Sequence, residues 1–157
     1  MSLPTTPRSR TRSLTSDPPG ESPTFEFQAT LSRLDDGLET LHDSVQQLRE
    51  KTGRTADDRN LMLFEIALAE IGANVLMYGR KPDSNDRTVE FKLRADSETA
   101  SAFFTHRGPP LHNQLKRAMP APTSETGRGL AIARKVLDEL GYERDGEVNI
   151  WRLVKRL

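Results

Sequence analysis

The stretch over residues 61–80 places the strongest limit on how this chain can fold. Its apolar residues recur at steps of three and four, at Leu61, Phe64, Leu68, Ile71, Val75 and Tyr78. This spacing predicts a helix with one face packed in a core. Glu70 and Asn74 are four residues apart and share another face, about 100° around the same helix. A carboxylate and an amide placed in this way can bind a hydrated magnesium ion or an attacking water molecule, or they can be two solvated surface residues.

Composition narrows the possible function classes. The length of 157 residues predicts a single domain. Lys+Arg and Asp+Glu are equal at 23 each, so the net charge favours neither a nucleic-acid-binding protein nor a membrane-surface protein. The chain has no cysteine, which excludes disulfides and thiolate metal sites. It has no uninterrupted apolar run of about 18 residues and no hydrophobic signal core, so we expect a soluble, cytoplasmic protein.

The chain divides into a polar tail and a folded domain. Residues 1–23 are rich in Ser, Thr, Pro and Arg and have almost no apolar side chains to bury, which predicts disorder. In the domain, residues 24–157, apolar periodicity predicts a strand at 24–29, a leucine-striped helix at 31–51, the Glu70 helix, and strands at 87–95 and 100–105. After a stretch at 111–124 that is predicted to be a mobile connection, it predicts a helix from Thr126 to Leu140, closed by Gly141, and a strand at 147–154. This order predicts an α+β fold, a two-layer sandwich with helices on one face of a mixed, mostly antiparallel sheet.

The sequence Gly127-Arg128-Gly129 opens the last predicted helix. Glycines let a backbone approach a ligand closely, and the unpaired amides and dipole at a helix N-terminus favour phosphate. No Gly-Lys-Ser/Thr follows, so the segment is not a P-loop, and no strand and third glycine frame it as a dinucleotide fingerprint. An anion site and an ordinary helix start both remain open for this segment.

Three motifs together resemble one superfamily. They are Glu70-x-x-x-Asn74 on a long helix, Gly108-Pro109-Pro110 after an antiparallel strand, and Gly127-Arg128-Gly129-Leu130 opening a later helix. In this order they resemble the ATP-binding fold shared by gyrase, sensor histidine kinases and MutL. Within that superfamily the chain is similar to the short anti-sigma-factor serine kinases of the RsbW type. The resemblance covers roughly residues 24–157.

The resemblance implies roles for individual residues. It implies that Asn74 coordinates a magnesium ion that bridges the ATP phosphates, and that Glu70 is the general base for a serine hydroxyl of a partner protein. Phosphoryl transfer suits such a site because it needs positioning and charge neutralisation more than covalent help. The resemblance implies further nucleotide contacts from Tyr78, which stands where the family often has a histidine, and from Gly108, beside the adenine. Around the phosphates it implies contacts from Thr126, Gly127, Arg128, Gly129 and Leu130.

The resemblance also implies partners. They are a sigma factor and an anti-anti-sigma protein of the STAS type, which is the phosphorylated antagonist. Family members are commonly dimers, so we expect a homodimer, with no direct contact to nucleic acid or membrane.

One position departs from the family pattern. His106 stands where the family has an aspartate that accepts a hydrogen bond from the adenine amino group. A neutral imidazole can accept one such bond, in one tautomer only. Losing a hydrogen bond to a charged acceptor costs about 1.5–3 kcal/mol. Two functions therefore stay open, a serine kinase that uses Mg-ATP and a non-catalytic partner-binding regulator with weak or lost ATP binding.

Overall fold

The computed structural model describes residues 24–79, 88–110 and 125–157, with the backbone only at residues 125–127. The predicted tail over residues 1–23 and the predicted connection over residues 111–124 lie outside the described residues. The elements are β1 (Phe25–Leu31), α1 (Leu34–Thr52), α2 (Arg59–Tyr78), β2 (Val89–Ala95), β3 (Thr99–Arg107), α3 (Glu125–Val136), β4 (Glu139–Asp145) and β5 (Val148–Arg156).

The five strands form one sheet in the order β1-β2-β3-β5-β4. The predicted fold class, an α+β sandwich with helices on one face of a sheet, is confirmed. The prediction allowed for a mixed sheet, whereas all four pairings between the described strands are antiparallel. Two of these pairings, β2 with β3 and β4 with β5, are hairpins whose short connections permit no other direction.

The predicted extent of the last helix was wrong. The sequence pattern extended it to Leu140, but α3 ends at Val136 and residues 139–145 form β4. At the boundary the chain turns at Asp138, whose N–H donates to the Val154 carbonyl and whose carboxylate accepts from the Arg156 N–H at 2.7 Å. Short apolar runs fit both periodicities, so the apolar spacing through Leu140 did not distinguish a helix from a strand.

The core lies between the sheet and the helices, with α2 at its centre. Five of the six apolar residues of the predicted α2 stripe are buried, and Tyr78 is the exception. They face sheet residues such as Phe91, Phe104 and Trp151, which lie side by side on neighbouring strands. By length and composition alone α2 could span a membrane, but half of that stretch is buried inside this fold. Its apolar composition is therefore accounted for by the core.

Capping residues fix both ends of the loop that joins α1 and α2. Gly53 follows α1 with φ 71°, a left-handed conformation that suits glycine. Asp58 caps α2 by accepting a hydrogen bond from the Leu61 N–H at 3.1 Å. Arg54 holds the other oxygen of the same carboxylate at 2.8 Å. The start of the helix that presents Glu70 and Asn74 is thus set by local contacts.

Candidate functional site

Glu70 and Asn74 lie where α2 meets α3. A Cβ atom added to Gly129 would overlap Oε2 of Glu70 and lie 3.1 Å from its Cδ, so the carboxylate rests directly against the α3 backbone. Asn74 follows one helical turn later, is 6% exposed, and its Nδ2 has no hydrogen-bond partner among the described residues. The structure therefore brings together the carboxylate, the amide and the glycine-containing helix that the sequence singled out separately.

The glycine segment begins α3, which starts at Glu125, one residue earlier than predicted. Gly127 therefore lies in the first turn, where backbone amides have no acceptor within the helix. Gly129 and Leu130 lie in the second turn, and Leu130 is part of the buried core. Arg128 is exposed. Gly127 thus remains suited to an anion, whereas Gly129 serves mainly to admit the Glu70 carboxylate.

Replacing Gly129 tests this close approach. In Gly129→Ala we expect the Glu70 carboxylate to be displaced, because the new methyl group would occupy its position. The free energy of unfolding should change by less than about 1 kcal/mol, since alanine favours the helix and the displaced group is the end of a flexible side chain. The ATP-dependent phosphate transfer that the resemblance implies should become at least about tenfold slower, measured as ADP formation beside urea unfolding. Ala131→Ser, at an exposed position of the same helix, is the control and should alter neither quantity.

Tyr78 lies one turn beyond Asn74 at the end of α2. Its place in the predicted apolar stripe implied burial beside Ile71 and Val75. In the structure Tyr78 is instead 38% exposed. Tyr78 is the last residue of α2, and its exposed neighbour Met77 shows that this side of the helix is not covered by the core. Tyr78 lies at the C-terminal end of the face that carries Glu70 and Asn74.

His106 is held in one orientation near the C-terminus of α2. The residue is 2% exposed, and its Nδ1 lies 2.6 Å from the Gly79 carbonyl oxygen. A carbonyl only accepts, so Nδ1 carries the proton and Nε2 carries the lone pair. The pKa of His106 is lowered to about 4, mainly by burial; the Gly79 hydrogen bond raises the pKa and the nearby charge of Arg144 lowers it, both by smaller amounts. The ring is therefore neutral at neutral pH.

A hydrogen-bond network holds Gly108 behind this histidine. The Gly108 carbonyl accepts from Arg144 Nη1 at 2.7 Å and from Asn149 Nδ2 at 3.2 Å. The Asn149 amide oxygen accepts in turn from Arg144 at 2.9 Å and from the Tyr142 hydroxyl. The Gly108 N–H donates to the Glu147 carbonyl at 3.0 Å. The loop that begins at Gly108 is thus anchored by the β4–β5 hairpin.

Sequence reasoning missed Asn149, Arg144 and Tyr142. The last two lie on β4, a strand that was not predicted, because the predicted helix ended at Leu140 and the residues after Gly141 were assigned to no element; their proximity to Gly108 could therefore not be inferred. One signal was present, because Asn149 occupies an inward position of an alternating apolar strand and is fully buried. A buried amide at such a position requires hydrogen-bond partners and is worth examining as part of a site.

The oxygen donors at this site fit a magnesium ion that arrives with phosphates. Glu70 and Asn74 supply one carboxylate and one amide oxygen, and the described residues contain no group of three or more His, Asp or Glu side chains that could hold a metal alone. Magnesium usually takes one or two protein oxygens together with water and substrate phosphate oxygens. These residues therefore suit a metal ion shared with a nucleotide.

Comparison with known proteins identifies the family. The model of the family described as the histidine kinase-like ATPase domain matches residues 31–155, which include Glu70, Asn74, His106, Gly108 and the whole of α3. No curated protein matches the chain. The predicted membership of the superfamily that includes sensor histidine kinases is confirmed by this match, which covers most of the chain. The chain belongs to the family of histidine kinase-like ATPase domains.

Proposed function

We propose that the protein binds Mg-ATP and transfers the γ-phosphate to a serine of an anti-anti-sigma protein of the STAS type. Phosphorylation of that antagonist would control which partner the protein holds, and hence the availability of a sigma factor for transcription. The family match supports an ATPase-type domain. The serine acceptor and the partners rest on the resemblance to anti-sigma-factor kinases of the RsbW type.

The observation that carries the proposal is the contact of the Glu70 carboxylate with the backbone of α3 at Gly129. The contact places a potential base two residues from Gly127, whose amide lies in the anion-attracting first turn of the helix. Asn74 supplies a second oxygen one turn away along α2. A base, a ligand oxygen and a phosphate-binding helix end are the parts that phosphoryl transfer needs close together.

The reaction can be assigned to these residues atom by atom. Glu70 accepts the proton of the serine hydroxyl while the serine oxygen forms a bond to the γ-phosphorus. The bond between the γ-phosphorus and the β,γ-bridging oxygen breaks, and ADP leaves with the electron pair. The first-turn amides of α3 hold the phosphate oxygens in line for this displacement. A bound magnesium ion would neutralise charge on the phosphates, with Asn74 as its protein ligand.

A second function is favoured by one observation, the buried imidazole at the position where the resembled family has a carboxylate. In this alternative the protein keeps the fold, binds ATP weakly or not at all, and regulates its partner by association alone.

For both functions we propose a cytoplasmic homodimer, as in the resembled family. Analytical ultracentrifugation of the full chain measures the oligomeric state, and a monomer at micromolar concentration would contradict this part of the proposal.

The two functions are separated by a calorimetric titration of the full chain with ATP, with and without magnesium. The kinase proposal requires binding in the micromolar range that weakens at least about tenfold when magnesium is removed, because the ion neutralises the phosphates that the site holds. Absence of heat at millimolar ATP would overturn the kinase proposal and leave the partner-binding regulator.

A further inference from the structure

Three polar side chains lie side by side across one end of the sheet. The strand register pairs His106 of β3 with Asn149 of β5, and Asn149 with Arg144 of β4. Asn149 is fully buried, and burying an amide costs free energy unless its hydrogen bonds are made. Its oxygen accepts from Arg144 at 2.9 Å and from the Tyr142 hydroxyl. Its nitrogen donates to the His106 and Gly108 carbonyls, so the amide is fixed from both sides.

These contacts converge on Gly108, whose backbone is held at both of its polar groups. The carbonyl accepts from Arg144 Nη1 at 2.7 Å and from Asn149 Nδ2 at 3.2 Å. The N–H donates to the Glu147 carbonyl at 3.0 Å. All three partners belong to the β4–β5 hairpin. Hydrogen bonds from a charged donor are roughly twice as strong as neutral ones, so Arg144 makes the strongest of the three contacts.

We propose that Arg144 and Asn149 are positioning residues for nucleotide binding, which hold Gly108 in its binding conformation without contacting the nucleotide themselves. This inference rests on the proposed function and on the resemblance that places Gly108 at the base end of the nucleotide. If Gly108 adopts its binding conformation only part of the time, the apparent dissociation constant rises in inverse proportion to that fraction. The hairpin at the edge of the sheet thereby sets the affinity of a site that it does not touch.

Arg144 allows positioning to be separated from folding. The residue is exposed, and β4 is the last strand of the sheet, so truncating its side chain removes the contacts to Gly108 and Asn149 and leaves the core in place. Asn149 is fully buried between β3 and β4, so a substitution there would change folding and positioning together. The decisive variant is therefore made at Arg144.

The test compares Mg-ATP with magnesium tripolyphosphate, which carries the phosphates but no base. Both affinities are measured by calorimetry on the full chain at pH 7.5. In Arg144→Ala the affinity for Mg-ATP should fall about tenfold, whereas the affinity for tripolyphosphate should stay within about twofold. Arg144→Lys keeps the charge and one donor, so it should recover part of the loss. Arg152→Ala is the control, because Arg152 lies on the same hairpin but on the opposite face of the sheet, 3.6 Å from Glu139, and it should change neither affinity.

The two ligands distinguish a failure of the inference from a failure of the proposed function. Equal weakening of both ligands in Arg144→Ala would assign a general structural or electrostatic role to the guanidinium and overturn the inference. Unchanged affinity for Mg-ATP would overturn it as well, and in both cases the proposed function would stand. Absence of binding of both ligands to the wild-type chain would overturn the proposed function, and the inference with it.

A second measurement uses only the wild-type chain. Coupling between two sites is reciprocal, so a nucleotide that needs the held conformation of Gly108 must also stabilise the hairpin that holds it. Mg-ATP should slow amide hydrogen exchange in residues 143–149 at least about tenfold, and in β1, at the far edge of the sheet, less than about threefold. Equal slowing in both strands, or none in the hairpin, would overturn the inference.

Discussion

The Glu70→Gln variant is expected to lose at least about 100-fold of the rate of phosphate transfer from ATP while its affinity for Mg-ATP stays within about threefold of wild type. Glutamine keeps the size of the side chain and its contact with Gly129, but it cannot accept the serine proton. General base catalysis contributes about 10²–10⁴-fold to a rate, whereas the substitution leaves in place Asn74 and the α3 amides, which we propose as the groups that bind magnesium and the phosphates. The rate is measured as phosphoserine formation on a STAS-type partner protein, and the affinity by calorimetry.

A matched carboxylate on the same helix serves as the control. Glu65 lies on a different side of α2, where its two oxygens contact His42 at 2.8 Å and Arg49 at 3.7 Å. Glu65→Gln should leave both the transfer rate and the affinity unchanged, because those contacts join α2 only to α1. Parallel losses of rate and affinity in Glu70→Gln would show that Glu70 binds the nucleotide and does not act as the base.

Periodic patterns in the sequence predicted most of the fold and the face of α2 that carries Glu70 and Asn74. The apolar stripe of α2 fixed which side of that helix is buried, and so which side presents Glu70 and Asn74. Strict alternation in β2 gave its inward and outward faces, because successive side chains of a strand point to opposite sides. These features depend on residues that are close together in the sequence, so they can be recognised before the fold is known.

The parts that the sequence did not predict depend on contacts between distant residues. The sequence pattern did not predict β4, although Asp145-Gly146 followed by an apolar run is a hairpin signal, and Gly146 adopts φ 62° in that turn. The tautomer of His106 is set by Gly79, 27 residues away, and the position of Gly108 is set by Asn149, 41 residues away. No spacing rule relates such residues before the fold is known.

Acidification is expected to destabilise the protein through His106. The pKa of His106 is about 4 in the folded chain, mainly because of burial, against the ordinary value of 6.5 that applies when the chain is unfolded. The unfolded state therefore binds the proton more tightly, so the stabilisation is complete above about pH 6.5 and is lost as the pH falls towards 4. These two pKa values correspond to a loss of about 2 kcal/mol in the free energy of unfolding between pH 7 and pH 5, measured by urea unfolding with Trp151 fluorescence.

This pH window isolates His106 from the acidic groups that are also shifted. The pKa values of Asp57 and Asp58 lie below the ordinary 3.8, so their contributions are present above that pH and disappear only at lower pH. Arg144 is the charged group that acts on His106 from β4. His106→Gln should flatten the curve between pH 7 and pH 5. If His106→Gln does not fold, an NMR titration of His106 in the wild type decides the matter. A pKa near 6.5 in the folded state would refute this account, because His106 would then bind the proton equally well in the folded and unfolded chain and could not cause the loss of stability.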